Sequence, residues 1–260
     1  MKQKKLFLIL FVFAFQIAKS QKVDFGLSLG LANYWGDLAP SIAWNETHGS
    51  STIFVRYNIS KNWAWNNQIT SLTLSGTDKN FEFNKNRNLD FTTKVTEYTS
   101  IFEFNFVKFG YGVLDDKITG YVYGGLSAFK FSPETMFGST KVVLRDWRTE
   151  NVSYSKFDFS IPFGVGVKWI FARRMSLEGQ LGFRRTFTDY LDDCSANYID
   201  ISNKTVMRSY LVDRSFEATG AFKSRVGQKR GNADYNDWYI ISSFSLVYRI
   251  PTRMKCARFY

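Results

Sequence analysis

A two-residue alternation of large apolar side chains with small or polar ones recurs along this chain, and it constrains the fold more than any other feature. The clearest example is the segment 157–169, whose odd-numbered positions are Phe157, Phe159, Ile161, Phe163, Val165, Val167 and Trp169. The positions between them are Asp158, Ser160, Pro162, Gly164, Gly166 and Lys168. Because successive side chains of a strand point to opposite faces, the pattern predicts a strand with one apolar face.

Segments of this kind recur from the first residues after the N-terminal region to the end of the chain. They cover residues 23–31, 52–59, 63–75, 97–106, 121–131, 157–169, 177–187 and 238–249. About 10 residues is the length that a tilted strand needs to cross a bilayer. Short turns alternate with long polar loops, as in outer-membrane barrels, whereas a secreted β-sandwich has no reason to alternate them. The sequence therefore predicts an all-β fold: an antiparallel transmembrane β-barrel of about eight strands with long extracellular loops and short periplasmic turns.

The N-terminal segment predicts export. A lysine-rich start precedes an almost continuously apolar stretch at residues 6–18, and small residues, Ala18 and Ser20, follow before Gln21. This is the layout of a cleaved signal peptide, because about 13 apolar residues are too few to span the hydrocarbon core; an uncleaved anchor is the alternative. We expect three regions: a signal peptide at residues 1–20, an outer-membrane barrel at residues 21–250 and a periplasmic tail at residues 251–260.

Aromatic residues make up 18% of the chain, which favours a membrane barrel with aromatic girdles.

The polar faces of the predicted strands carry charges of both signs. They are Asp24, Arg56, Glu97, Glu103, Lys168, Glu178 and Arg184. The interior of an eight-stranded barrel is only wide enough for side chains, and an unpaired charge there is costly. We expect these residues to pair in a structural polar network. The alternative is a pore or a catalytic cleft, and the narrow interior disfavours a pore.

The sequence offers little support for catalysis. Its one histidine, His48, falls in the first long loop. No serine with a His–acid pair, no metal-ligand cluster and no phosphate-binding glycine loop stands out. We expect no catalytic residue, no metal and no cofactor. A lipid-modifying barrel enzyme with a Ser–His pair would have to use His48.

The two cysteines are expected on opposite sides of the membrane, Cys194 in the last extracellular loop and Cys256 in the periplasmic tail. They should not bond each other, because a disulfide needs Cα atoms within about 7 Å. In an oxidising compartment a leftover cysteine indicates an intermolecular bond or a free thiol. Our hypothesis is that Cys256, beside Arg253 and Lys255, pairs with a periplasmic partner; an inert tail thiol is the alternative.

The external loops are basic and polar. Their cations are expected to meet anionic lipopolysaccharide, and export excludes nucleic acid as a partner. These residues are Arg145, Arg148, Lys204, Arg208, Arg214, Lys223, Arg225, Lys229 and Arg230. The composition of residues 204–232 predicts a flexible loop.

Several motifs at fixed places relative to the predicted strands carry a family resemblance. They are Gly36-Asp37-Leu38 after the first strand, Arg56-Tyr57-Asn58 in the second, residues 161–168 in the sixth, Asp189-Tyr190-Leu191-Asp192-Asp193 after the seventh, Arg230-Gly231-Asn232, and the terminal Lys255-Cys256. Together they resemble the PorG family of outer-membrane barrels in the type IX secretion system of Bacteroidetes. The resemblance covers most of the chain after the signal peptide. Cys194 departs from the family pattern, in which an apolar residue is expected.

The resemblance implies a non-enzymatic component of that secretion machine. It implies an outer-membrane protein that associates with a periplasmic ring, built from a lipoprotein and its partner, and that supports protein export and, in gliding species, motility. We expect the Asp189–Asp193 motif to organise the outer mouth of the barrel, and the ring to bind at the opposite end, around Cys256. A small structural or adhesin-like barrel that acts through its loops is the alternative.

Overall fold

The computed structural model describes residues 22–220 and 225–251, and ten antiparallel strands form most of this part of the chain. The strands are β1 (Lys22–Trp35), β2 (His48–Asn58), β3 (Trp63–Thr77), β4 (Asp90–Asn105), β5 (Ile118–Lys130), β6 (Pro133–Phe137), β7 (Thr140–Val143), β8 (Phe157–Ala172), β9 (Met175–Thr186) and β10 (Trp238–Arg249). The predicted signal peptide at residues 1–20 lies outside the described residues, as does most of the predicted tail.

Eight of these strands close into a barrel. Neighbours pair in the order β1, β2, β3, β4, β5, β8, β9 and β10, and β10 returns to pair with β1. Every neighbouring pair is antiparallel. The predicted antiparallel barrel of about eight strands is therefore confirmed. Each predicted strand segment corresponds to one strand of the wall, because the period-two pattern marks every strand that has one face to lipid and one inward.

The outward face of the wall is apolar. Leu29 is 74% exposed and Phe244 is 80% exposed, which would be costly in water for side chains of this size in a continuous band. The aliphatic part of the band consists of Leu27, Leu29, Ile53, Ile69, Val165, Val167, Leu177, Leu181 and Leu246. Large rings flank it, with Trp63, Phe106, Trp169, Phe171 and Tyr248 at one end and Trp35, Phe157 and Phe159 at the other. This arrangement is that of a barrel whose wall spans a membrane.

Connections at one end of the barrel are short. They are residues 59–62, 106–117 and 173–174, and the first and last strands also begin and end there. This end is the periplasmic one by the rule that periplasmic turns are shorter than external loops. The segment 106–117 is longer than a tight turn and lies across the mouth of the barrel.

The four long loops at the other end pack together into a cap over the extracellular mouth. The cap contains the hairpin β6–β7 and the short helices α1 (Leu144–Trp147), α2 (Val206–Val212) and α3 (Ser215–Thr219), with 3-10 turns at Trp44–Glu46, Asp78–Asn80 and Glu82–Asn84. Its hydrophobic core is continuous with buried strand residues such as Leu74 and Phe91, and the loop residues in it include Leu38, Leu89, Phe131, Val142, Leu144, Leu191 and Leu211. None of the helices in the described residues is long and apolar enough to cross a membrane.

The prediction of a flexible loop at residues 204–232 is wrong for the part of it that the structure describes. Leu211 and Val212 are buried at the end of α2, and Arg230 is buried among acidic side chains. A polar composition predicts disorder when a segment has little apolar surface to bury. Here a few apolar side chains suffice, because the rest of the cap supplies the surface against which they pack.

Candidate functional site

The barrel interior holds a charged network centred on Arg56. Its two terminal nitrogens each donate a hydrogen bond of 2.6 Å to the Glu178 carboxylate. Its Nε lies 2.9 Å from Glu103 Oε2, and Lys168 Nζ donates to that same oxygen at 2.5 Å. All four side chains are buried. The structure thus brings together four of the predicted interior residues in one compact cluster of paired charges.

Two further ion pairs extend this network toward the two ends of the barrel. Asp24 on β1 lies opposite both Arg56 on β2 and Arg249 on β10, and Arg249 donates hydrogen bonds to both Asp24 carboxylate oxygens. Nearer the outer end, Arg184 Nε lies 3.8 Å from Glu97 Oε1. The sequence suggested that Arg184 faces the same network as Glu178, whereas the carboxylate that it contacts is Glu97.

The interior is therefore occupied by paired charges and by the side chains stacked on them. Tyr121 lies over Lys168, whose Nζ is 4.3 Å from the ring centroid. Gln180 donates a hydrogen bond of 2.9 Å to the Tyr123 hydroxyl and accepts one from Tyr121 at 3.1 Å. In a lumen of this width, charges that are paired with one another hold the neighbouring strands of the wall together.

The motif residues Asp189 to Asp193 lie in the cap, directly above the barrel. The Tyr34 hydroxyl, from β1, lies 2.7 Å from Asp192 Oδ2 and 2.5 Å from Asp237 Oδ1. A phenol has one hydrogen to donate, and an ionised carboxylate has none. At least one of the two carboxyl groups must therefore carry a proton. Burial, followed by electrostatic repulsion between the carboxylates, raises the pKa of Asp192 accordingly.

These three side chains fasten the cap to the barrel. Asp192 Oδ1 accepts the Cys194 backbone N–H at 2.9 Å, and Asp237 Oδ2 accepts the Leu191 N–H at 2.9 Å. Gly36 is required beside them, because a Cβ atom at that position would overlap the Tyr34 hydroxyl and the Asp237 carboxylate. The Gly36-Asp37-Leu38 motif and the Asp189–Asp193 motif thus lie next to each other at this point.

The buried Arg230 and the half-buried Arg87 organise the rest of the cap. Arg230 donates to Glu150 Oε1 at 2.9 Å and to the Asp193 carbonyl at 2.5 Å, and Glu150 also accepts two backbone N–H groups. Arg87 donates to both oxygens of Asp78 and to the Asp37 carbonyl. Arg230 is therefore not available to bind lipopolysaccharide as the sequence suggested, because its guanidinium is buried and bonded to Glu150 and Asp193 inside the cap.

Arg214 is a second basic loop residue that the structure places inside the cap. Its Nη1 lies 2.8 Å from Asp90 Oδ2, and its side chain is almost fully buried. The expectation that it meets anionic lipid is wrong for the same reason as for Arg230. An acidic neighbour from a distant part of the chain neutralises each of them, and residue type alone does not reveal such a neighbour.

Leu38, Leu191 and Asp193 are also buried in the cap. Leu38 and Leu191 lie in its core. Asp193 accepts hydrogen bonds from Thr149 at 2.5 Å and from Tyr154 at 2.6 Å. Tyr190 stacks on Tyr154 with a centroid distance of 4.7 Å. The motif that the sequence singled out is a structural joint between loops and barrel.

Burial raises the pKa of Asp189 to about 7 and that of Asp193 to about 6. The charges that face Asp189 from neighbouring loops are the carboxylates of Asp37 and Glu150, which raise it further. In the unfolded chain an aspartate titrates near pH 3.9. Between about pH 4 and about pH 7 the folded cap therefore holds a proton on Asp189 that the unfolded chain releases. The free energy of unfolding of the cap consequently falls as the pH rises through this range.

We expect hydrogen exchange of the cap amides, corrected for intrinsic rates, to be faster at about pH 7.5 than at about pH 5.5. The variant Asp189→Asn keeps the size of the side chain and removes its titration. It should reduce the difference between the two pH values, measured by mass spectrometry on peptides from the cap. Peptides from the barrel strands are the internal control. An unchanged difference in the variant would show that Asp189 does not set this dependence.

Of the two cysteines, Cys194 lies in the described part of the cap. Cys194 is a free thiol that is fully buried in the cap, where its Sγ donates to the Arg230 carbonyl at 3.1 Å. Burial shields this thiol from a partner, and it also raises the pKa of the thiol well above its usual range. Cys256, Lys255 and Arg253 lie outside the described residues.

His48 has a neighbour that the sequence did not reveal. It is the first residue of β2, and its Nε2 lies 2.7 Å from the Ser75 hydroxyl on β3. The Ser75 hydroxyl in turn donates to the Glu46 carboxylate. Within the described part of the chain, no group of three or more His, Cys, Asp or Glu residues is arranged to hold a metal ion.

Sequence reasoning missed several residues of the cap. Arg87, Glu150, Asp237 and Tyr154 carry its buried contacts, yet they lie in segments that have no strand or helix period. Tyr34 lies two residues before the Gly36-Asp37-Leu38 motif, but its role depends on Asp237, more than 200 positions away in the chain. Only the closure of the barrel brings such residues together.

The chain is similar to one protein family by sequence and to several solved structures by fold. A family model described as "Domain of unknown function (DUF6089)" matches residues 3–208. Among solved structures, Ail, the attachment invasion locus protein of Yersinia pestis, has a TM-score of 0.43 at 10% identity, covering 88% of this chain and 99% of Ail. OprG of Pseudomonas aeruginosa has a TM-score of 0.43 at 8% identity, covering 89% and 98%. Neisserial surface protein A has a TM-score of 0.42 at 12% identity, covering 88% and 97%. No curated protein matches the chain by sequence.

Proposed function

The chain belongs to the family described as a domain of unknown function, DUF6089, and we propose that it is a non-enzymatic outer-membrane component of a type IX protein secretion system. In this role it anchors or adapts a periplasmic ring, which contains a lipoprotein and its partner, to the outer membrane. The motif resemblance to the PorG family supplies the identity of the machine, and the geometry of the barrel supports the kind of role.

The observation that carries the proposal is the filled barrel. The lumen is occupied by the Arg56 network, the cap covers its outer mouth and the segment 106–117 lies across its periplasmic mouth. A protein chain cannot be exported through such a lumen without dismantling several buried ion pairs, each of which is costly to break. An anchor needs only a stable wall in the membrane and a surface in the periplasm, and this molecule has both.

The cargo route must then lie in another protein of the machine. This chain instead fixes the position of the ring at the outer membrane. Its apolar band fixes it in the outer-membrane lipid, and its cap faces the cell surface, where the exposed loop cations meet lipopolysaccharide. The periplasmic end, continued by a basic tail that contains Arg253, Lys255 and Cys256, faces the ring. Export, and in gliding species motility, would depend on this attachment.

Co-purification tests the proposal. A tagged chain is extracted from native membranes in a mild detergent, and the proteins that remain bound are identified by mass spectrometry. We expect the ring lipoprotein and its partner in near-constant ratio to the barrel, and a deletion of the chain should reduce the secretion of proteins that carry a C-terminal export signal. An unrelated tagged outer-membrane barrel is the control. Absence of the ring subunits, together with normal secretion in the deletion strain, would contradict the proposal.

A lipid-modifying enzyme is the second candidate, and the contact between His48 and Ser75 is the observation that favours it. A nucleophilic serine needs a histidine base, and that base needs an acid to orient it. Here the carboxylate of Glu46 contacts the serine hydroxyl, and Ser75 is 5% exposed. The three groups therefore form a hydrogen-bonded joint between the first loop and β3. His48→Ala should leave the lipid composition of the outer membrane unchanged; altered acylation would favour the enzyme.

A further inference from the structure

The periplasmic segment 106–117 is held by side-chain hydrogen bonds and an ion pair, although it has no regular secondary structure. Lys117 Nζ donates to the Gly112 and Gly110 carbonyls at 2.6 and 3.2 Å. Asp115 accepts the Gly112 N–H at 3.0 Å and pairs with Lys61 Nζ at 2.5 Å. These contacts hold the loop on both sides of its tip. The tip is therefore held in place by contacts within the loop and with the β2–β3 turn.

The tip itself is apolar and fully exposed. Val113 is 100% exposed and Leu114 is 95% exposed, and the two residues are adjacent in the chain. Two rings next to the tip turn inward: Phe109 is buried, and Tyr111 stacks on Arg249 with the guanidinium carbon 4.4 Å from the ring centroid. The loop thus packs the Phe109 and Tyr111 rings against the barrel and presents Val113 and Leu114 at its tip, while Phe106 and Val107 are exposed where the loop leaves β4.

The position of the loop directs this tip away from the lipid. Phe109 lies beneath Lys168, whose Nζ is 5.9 Å from the ring centroid, inside the barrel. Tyr111 reaches β10 through Arg249, and Asp115 reaches the turn between β2 and β3 through Lys61. A loop that contacts the lumen and two separate parts of the rim lies below the opening. Val113 and Leu114 therefore face the periplasm and not the acyl chains beside the wall.

The surface around the tip is basic. The three periplasmic connections carry five cationic and two acidic side chains. They are Lys61, Lys108, Lys117, Arg173 and Arg174 against Asp115 and Asp116. Asp115 is neutralised by Lys61, so the excess charge at this end is positive. A partner that covers the tip is favoured if it presents carboxylates around the contact.

We propose that Val113 and Leu114 form the docking knob of this protein for a periplasmic protein that has an apolar pocket bordered by acidic side chains. The inference rests on the proposed function, because it locates the surface through which the barrel holds its periplasmic partner. A pre-organised apolar anchor at the centre of a charged rim is the arrangement that concentrates binding energy in a few residues. It places the contact on the loop below the lumen, in addition to the chain end at Cys256.

Charge insertion at the tip tests the proposal. The variant Leu114→Asp removes the apolar anchor and adds a charge that an acidic pocket repels, while all contacts that hold the loop remain. Co-purification of the periplasmic partner should fall about 10-fold or more, the loss expected from removing one buried leucine. Val206→Asp is the matched control, because Val206 is 84% exposed but lies on the extracellular side. Heat-modifiable migration in gels verifies that both variants fold.

A photo-crosslinker in place of Leu114 identifies what touches the knob. We expect Leu114→p-benzoylphenylalanine to give an adduct with the same periplasmic protein that co-purifies with the wild type, and Val206→p-benzoylphenylalanine to give none with it. Lys108→Glu with Arg174→Glu should weaken the complex, and so should added salt. A phospholipid adduct, or unchanged binding after charge reversal, would overturn the proposal.

The two proposals fail in different ways. If the wild type co-purifies with the ring subunits and Leu114→Asp does so equally well, the knob is wrong and the anchoring role stands. If the wild type retains no periplasmic protein even after crosslinking, the anchoring role is wrong, and the knob has no partner to bind.

Discussion

Replacing Arg56 by methionine is expected to lower the free energy of unfolding of the barrel by about 3–5 kcal/mol, which is the cost of leaving a buried charge without its partner. Methionine fills much of the arginine volume but offers no donor. Glu178 loses two hydrogen bonds of 2.6 Å, and Glu103 keeps Lys168 as its cationic partner. The effect is therefore carried mainly by Glu178, which loses its bidentate cationic partner inside the barrel.

The measurement is the temperature at which the folded, fast-migrating form of the barrel is lost on a denaturing gel. Arg173→Met, in an exposed periplasmic turn, is the matched control and should leave this temperature unchanged. Adding Glu178→Gln to Arg56→Met should recover part of the loss, because it removes the stranded charge, and the two changes should not be additive. Equal temperatures for Arg56→Met and the control would mean that the network contributes nothing to the stability of the wall.

Replacing Arg230 by methionine is expected to destabilise the cap by a similar amount, about 3–5 kcal/mol, and to leave the barrel intact. Arg230 is 3% exposed and donates to Glu150, to the Asp193 carbonyl and to the Val212 carbonyl. Without it, Glu150 and Asp193 are buried near each other with no cation of their own. The loss falls on loops, since none of these contacts involves a strand of the wall.

Protease digestion of intact cells measures this effect, because only the extracellular side is accessible. Cleavage within residues 187–237 should be much faster in Arg230→Met than in the wild type, while the membrane-embedded fragments stay protected and heat-modifiable. Lys229→Met, at an exposed neighbouring position, is the control. Loss of the whole barrel from the membrane would contradict the separation of cap and wall, and unchanged cleavage would contradict the role of Arg230.

The sequence was most informative about the wall. Every strand of a membrane barrel has lipid on one side and a narrow lumen on the other. Each strand therefore carries the same two-residue alternation of apolar and polar side chains. Phe159, Val165 and Trp169 on β8 reveal the lipid side without knowledge of any other strand. The inward charges were visible for the same reason, since Glu103 and Lys168 interrupt an apolar segment at lumen-facing positions.

The partners of those charges were less predictable. Arg184 pairs with Glu97 and not with Glu178, because pairing depends on the register and stagger of strands that are distant in sequence. In the cap, polar loops concealed a hydrophobic core and buried arginines. Local composition predicts whether a segment can fold alone, and the cap segments fold only against one another.

The amino-acid sequence by itself determined that this chain forms an antiparallel barrel with an apolar outer wall and a charged lumen, because alternation is a local property that each strand displays independently. Only the tertiary structure decided which charges pair, that the Asp189–Asp193 motif is a buried joint with Tyr34 and Asp237, and that the segment 106–117 lies below the lumen with Val113 and Leu114 exposed. These features arise when closure of the barrel places residues from distant strands and loops side by side, and no local pattern records that closure.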